Sequence, residues 1–194
     1  MKRSALAEPV WQALYDVAAS QEGLFTTRQA AAAGYSPPLL AHHQKVGRVA
    51  RIRRGIYRLI HFPPGEHEDL VAAWLWADAA GVLSNQTALS LHGLSDVLPK
   101  QIHLTLPESW QQRRLRVPKG LTLHYAEVPN RERTWIGAVP VTTARHTLAD
   151  CAHSGLAPDL LRQAARQALT RGLVTKSELK DVEKVLRPFG GIKG

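Results

Sequence analysis

The sequence predicts an α+β protein, with an N-terminal winged helix-turn-helix followed by a mixed α/β C-terminal domain. Three observations predict it. Two short helical patterns lie either side of a glycine-containing turn between residues 26 and 46. A basic, alternating stretch then folds back on itself about Arg54-Gly55. Beyond Pro63-Pro64-Gly65, strand-like and helix-like stretches are mixed to the end of the chain.

The elements of the first segment follow from local chemistry. Val10, Leu14 and Val17 fall at helical spacing. Glu8-Pro9 suits the start of that helix, since proline has no N–H to leave unbonded in the first turn. Gly23 ends it. Thr26 or Thr27 can cap a short alanine-rich helix running to about Ala33. Gly34-Tyr35 makes a tight turn, and Ser36 caps the next helix with Pro37 and Pro38 in its first turn. That helix runs to about Val46, turns Leu39 and Leu40 inward, exposes His42, His43 and Lys45, and stops at Gly47.

Residues 50–59 read as a hairpin. A two-residue loop at Arg54-Gly55 sets Arg53 opposite Ile56, Ile52 opposite Tyr57, Arg51 opposite Arg58, and Ala50 opposite Leu59. Side chains alternate along a strand. Ala50, Ile52, Tyr57 and Leu59 therefore share an apolar face, and Arg51, Arg53 and Arg58 share the other with Ile56. Like charges directly opposite on a sheet repel, and no acidic residue lies between Lys45 and Arg58. That pattern asks for a polyanion.

The charge distribution agrees. The net charge is +9, which favours polyanionic partners. Residues 1–62 carry nine Lys/Arg against three Asp/Glu, and residues 63–194 carry sixteen against thirteen. A domain boundary is expected at Pro63-Pro64-Gly65, giving a DNA-binding domain over 1–62 and a second domain over 66–194. In the second domain, Glu66 to about Ala80 reads as an amphipathic helix with Leu70, Trp74 and Ala77 inward. Ser84 caps a helix from Asn85 to about His92. Gln101–Leu106, Leu121–Ala126 and Ile136–Thr142 read as strands, and Thr143–His153, Pro158–Arg171 and Ser177–Leu186 as helices. Trp74, Trp76 and Trp135 read as core.

A helix-turn-helix sets its second helix in the major groove, where base edges differ. Ser36, His42, His43, Gln44 and Lys45 are the candidate contacts of that helix. Arg48, Arg51, Arg53, Arg54 and Arg58 are candidates for phosphate or minor-groove contact, because guanidinium forks match phosphate and favour narrow electronegative grooves. Arg28, at the start of the preceding helix, is a further phosphate candidate.

Gly23-Leu24-Phe25-Thr26-Thr27-Arg28-Gln29-Ala30, Gly34-Tyr35-Ser36 and Val49 to Leu59 resemble the N-terminal domain of the AbiEi family of antitoxins. Val82 to Leu94 and Pro140 to Asp150 are similar to that family's C-terminal domain. The resemblance implies an antitoxin of a type IV toxin–antitoxin system, active in phage defence. It implies repression of its own operon through inverted repeats in double-stranded DNA. It further implies a C-terminal domain that counters a nucleotidyltransferase-like toxin without a stable complex. A monomer in solution with two copies on DNA is expected, and a cytoplasmic location is the default for a chain with a single cysteine and no signal peptide.

Other classes have weaker support. No apolar stretch approaches the roughly 20 residues of a membrane helix, and Met1-Lys2-Arg3-Ser4-Ala5 has no apolar run behind it to make a signal peptide. Cys151 is the only cysteine, which excludes an internal disulfide framework. Adjacent His42 and His43 face different ways on a helix, so no metal is expected there, and no cofactor motif is present. Pro158-Asp159 with Glu178-Leu179-Lys180 matches the Pro-Asp…Glu-x-Lys pattern of metal-dependent nucleases. That chemistry needs the last three residues on a strand, and here they read as helix. A Cys151 pair with His146 or His153 is a further enzymatic alternative. So is a regulator whose second domain senses a ligand or oligomerises. Trp110-Gln111-Gln112-Arg113-Arg114-Leu115-Arg116 with Lys119 forms a second basic patch, which reads as a solvated loop or as a contact to phosphate or RNA.

Overall fold

A computed structural model describes residues 9–193. Glu8 and the Met1–Ala5 stretch lie outside the described residues. The architecture is α+β, and the chain divides into two compact units, the first reaching Ala79 and the second starting at Ala80. The division falls later than Pro63-Pro64-Gly65, because the helix after that segment packs on the first unit's sheet.

The first unit runs α1 (Trp11–Ala19), β1 (Leu24–Thr26), α2 (Thr27–Ala32), α3 (Pro37–Lys45), β2 (Val49–Arg53), β3 (Ile56–Leu59) and α4 (Glu68–Trp76). The α1 spacing holds at Leu14, which is buried with Ala18, whereas Val10 precedes the helix and is exposed. Thr26 caps α2 in a reciprocal box: Gln29 N–H donates to Thr26 Oγ1 (3.1 Å), and Thr26 N–H donates to Gln29 Oε1 (2.8 Å). Ser36 Oγ accepts from Leu39 N–H at the start of α3. Gly34, with φ of +87°, turns the chain between the two helices.

β1, β3 and β2 form an antiparallel sheet in that order. Leu24-Phe25-Thr26 is too short a run for alternation to declare the strand β1 in the sequence. Leu14, Ala18, Phe25, Ala30, Tyr35, Leu40, Val49 and Leu59 make the core between the sheet and α1–α3. On the sheet's other side α4 packs against β1 and β3. Leu70 to Leu75 are buried at every position. α4 is therefore enclosed rather than amphipathic, which corrects the one-sided helix expected from Leu70, Trp74 and Ala77.

The second unit runs β4 (Val82–Leu83), α5 (Asn85–Leu91), β5 (Ile102–Leu106), β6 (Leu121–Tyr125), β7 (Arg133–Ile136), β8 (Val139–Thr142), α6 (Ala144–His153), α7 (Pro158–Thr170) and α8 (Lys180–Leu186). Its sheet has the order β6-β5-β4-β8-β7. The β4/β8 and β5/β6 pairs are parallel, and β4/β5 and β7/β8 antiparallel. The single strand expected over Ile136–Thr142 is two strands reversing at Gly137, whose φ is +56°. Leu148, Leu161, Leu179 and Leu186 are fully buried among α5–α8. Trp135 is 62% exposed on the edge strand β7, so it is not core.

Candidate nucleic-acid interface

The wing is built by its tip. Arg54 and Gly55 make the two-residue loop, and Gly55 takes the positive φ (+77°) that a side chain resists. The Gly55 carbonyl accepts the Thr27 N–H at 2.9 Å, so the tip is tied to the first turn of α2. Arg28 and Arg54 consequently line one shallow cleft with Thr27 and Gly55, whose wall also holds Trp76 and Asp78.

The register departs from simple pairing. Arg53 does lie opposite Ile56, but beyond it Arg51 lies opposite Tyr57, Ala50 opposite Arg58 and Val49 opposite Leu59. Ile52 is the extra residue of a β-bulge, and it is 46% exposed rather than turned inward. The shift separates the arginines. Arg51 lies beside Tyr57 and is exposed, while Arg58 falls on the face that α4 covers. The expected row of Arg51, Arg53 and Arg58 is therefore corrected, and so is the repulsion between Arg51 and Arg58.

Arg58 is occupied. Its guanidinium pairs with Glu68 at 3.0 Å and donates to the Phe62 carbonyl (2.9 Å) and the Leu59 carbonyl (3.1 Å). It ties the wing to α4 and is only 16% exposed. Arg53 is half-buried, and its Nη1 is sequestered with no hydrogen-bond partner among the described residues.

On α3, His42, Gln44 and Lys45 are exposed, and Arg48 follows them, also exposed. His43 is not exposed as expected. It is buried, its ring stacked on Trp11 (centroids 5.9 Å) and edge-on to Tyr35 (5.4 Å). Burial, then Arg48 and His42, holds its imidazole below the usual pKa. It is thus a neutral packing residue between α1 and α3. Ser36 is half-buried with its hydroxyl engaged in the cap. Five exposed cations remain: Arg28, Lys45, Arg48, Arg51 and Arg54, none in an ion pair among the described residues.

In the second unit the nuclease-like residues are structural. Glu178 sits in a 3-10 turn, where its carboxylate accepts the Thr175 N–H (2.7 Å). Those bonds hold its pKa below the usual carboxylate range. Asp159 is in the first turn of α7, paired with Arg162 at 2.8 Å. Glu178-Leu179-Lys180 does not lie on a strand, as the nuclease chemistry requires. Cys151 is fully buried, and burial pushes its thiol up to about 12, which is the wrong direction for a nucleophile. Elsewhere His103 Nδ1 and His124 Nε2 lie 3.0 Å apart on adjacent strands β5 and β6. No helix among the described residues is long and apolar enough to cross a membrane.

The order α1-β1-α2-α3-β2-β3, closed by an antiparallel sheet, is that of a winged helix-turn-helix. Residues 12–60 match the family model described as "Transcriptional regulator, AbiEi antitoxin". The resemblance to AbiEi antitoxins therefore holds over that segment, and that family is one of transcriptional regulators rather than enzymes. The segments Val82 to Leu94 and Pro140 to Asp150 lie outside the matched residues. No curated protein matches the chain. Among solved structures, the crystal structure of the RV2827C protein from Mycobacterium tuberculosis is similar over 93% of this chain and 76% of that one, at 17% identity and a TM-score of 0.48.

Proposed function

We propose that the first unit binds double-stranded operator DNA, and that the protein is an antitoxin repressing its own operon in the cytoplasm. The observation that carries this reading is the set of five exposed cations on α2, α3, the turn after α3 and the wing, none in an ion pair among the described residues. α3 enters the major groove with His42, Gln44 and Lys45 at base edges or nearby phosphates. Arg28 and Arg54, held together by the Thr27–Gly55 bond, clamp a phosphate beside it. Arg48 and Arg51 hold the flanking backbone. His43, Ser36 and Arg58 hold the motif together and make no sequence-reading contact. The resemblance supports two copies on inverted repeats, and a second unit that counters a nucleotidyltransferase-like toxin without a stable complex.

A gel shift with the DNA upstream of the gene tests the reading. Binding retarded by a specific inverted repeat, and weakened on every sequence by Arg51→Gln with Arg54→Gln, is the expected result. Unchanged binding by that double variant sinks the wing assignment.

A further inference from the structure

The connection between β5 and β6 is unusual for a parallel pair. Parallel strands need a crossover of about a dozen residues or more, and an α-helix packed on the sheet normally supplies it. Here β5 ends at Leu106 and β6 begins at Leu121. Residues 107–120 hold a single 3-10 turn, Glu108–Trp110, and no α-helix. A loop this long in a compact domain is uncommon unless it serves a function.

Its chemistry is one-sided. Arg113, Arg114, Arg116 and Lys119 stand against Glu108 alone, and all four cations are exposed. None is in an ion pair among the described residues. The nearby Glu127 carboxylate accepts the Glu108 N–H (3.1 Å) rather than a cation. Trp110 is half-buried at the head of the turn, which the Arg113 N–H closes onto the Trp110 carbonyl (2.9 Å). The Arg113 guanidinium carbon lies 3.9 Å from the centroid of the Trp110 ring. The guanidinium therefore lies over the indole face, and the loop presents an exposed planar cation backed by a tryptophan, with three further cations following.

A cation cluster by itself attracts any polyanion. The indole makes the difference. In a duplex the bases are stacked on one another, and a surface tryptophan meets only the backbone. An unpaired base offers its face, which stacks on indole or guanidinium irrespective of sequence. We propose that the 107–120 crossover is a second nucleic-acid site, for single-stranded RNA or DNA, in which an unpaired base stacks on the Arg113 guanidinium, held flat by the Trp110 ring behind it, while Arg114, Arg116 and Lys119 hold its phosphates.

The test is fluorescence anisotropy of the full-length protein with a labelled ~15-nucleotide U-rich RNA, the corresponding single-stranded DNA, and a duplex of the same length. Trp110→Ala is expected to weaken single-strand binding roughly 5- to 100-fold and to leave duplex binding unchanged, whereas Trp110→Phe retains most of it. The triple variant Arg113→Gln, Arg114→Gln, Arg116→Gln changes only exposed side chains. It is expected to make the slope of log K against log[salt] on single strands shallower by about 2. Tighter binding of RNA than DNA assigns the strand as RNA through its 2′-hydroxyl, and the reverse order assigns it as DNA. Three results overturn the proposal: no single-strand binding by the wild type at low salt, a triple variant that binds single strands like the wild type, or equal losses on single strand and duplex.

Discussion

The Arg58 guanidinium lies 3.0 Å from the Glu68 carboxylate, across the join between the wing strand β3 and the helix α4. The pair converts an arginine of the basic hairpin into a structural clasp, because the same guanidinium also donates to the Phe62 and Leu59 carbonyls. Both side chains are largely withdrawn from water, at 16% and 30% exposure. Removing Glu68 leaves a cation with only part of its bonding. Glu68→Ala should lower stability by about 1–2 kcal/mol, discounted for the residual exposure. Thermal melts check the loss. Arg58→Ala should lower the melting temperature similarly yet leave the DNA affinity of the folded protein unchanged. A specific affinity loss in that variant, with stability intact, contradicts the clasp.

Exposed and engaged arginines should separate in their salt behaviour. Five exposed cations neutralising phosphates predict a slope of log K against log[salt] near −4.5 on duplex DNA. Each of Arg51→Gln and Arg54→Gln should make that slope shallower by about 1, and Arg58→Gln should not change it. A filter-binding series across salt concentrations measures all three.

His43 makes the first unit sensitive to acid. Its pKa is lowered from 6.5 chiefly by burial against Trp11 and Tyr35. Below 6.5 the unfolded chain therefore binds more protons than the folded one. Stability is full above 6.5 and declines as pH falls through the window beneath it. Denaturant midpoints measured from neutral to mildly acidic pH should fall, and His43→Phe should flatten that dependence. The same substitution leaves DNA affinity at neutral pH unchanged if the ring only packs.

Cys151 should be inert while the protein is folded. Its thiol is fully buried and its pKa is pushed up to about 12. A thiol reagent at about pH 8 should modify it only on unfolding, since the thiolate is the reactive form. Rapid labelling of the native protein places it in an accessible site instead.

Much of the first unit was legible because its signals are local. A cap at Thr26 or Thr27, the Ser36 cap before Pro37-Pro38, and the Gly34 and Gly55 turns each act within four residues; the choice of Thr26, and its reciprocal bond with Gln29, came only with the structure. The opening pair Arg53–Ile56 was legible for the same reason. In the second unit, the ends of α6 and α7 follow from Thr143 and Pro158. The Gly137 reversal was missed because the run from Ile136 to Thr142 is apolar enough to read as one strand. β4 was missed because it is only two residues long.

By itself the sequence determined the caps of the two motif helices, though not the one expected of Ser84, whose side chain makes no cap bond, together with the turn of the wing and the excess of positive charge near the N-terminus. These depend on backbone chemistry between near neighbours and on composition. Only the tertiary structure decided which of those charges face outward. The Ile52 bulge slips β2 against β3, α4 then covers the face that carries Arg58, and Trp11 closes over His43. Each outcome is a packing decision between different elements, where a one-residue slip exchanges the two faces of a strand and no pattern within a single element records it.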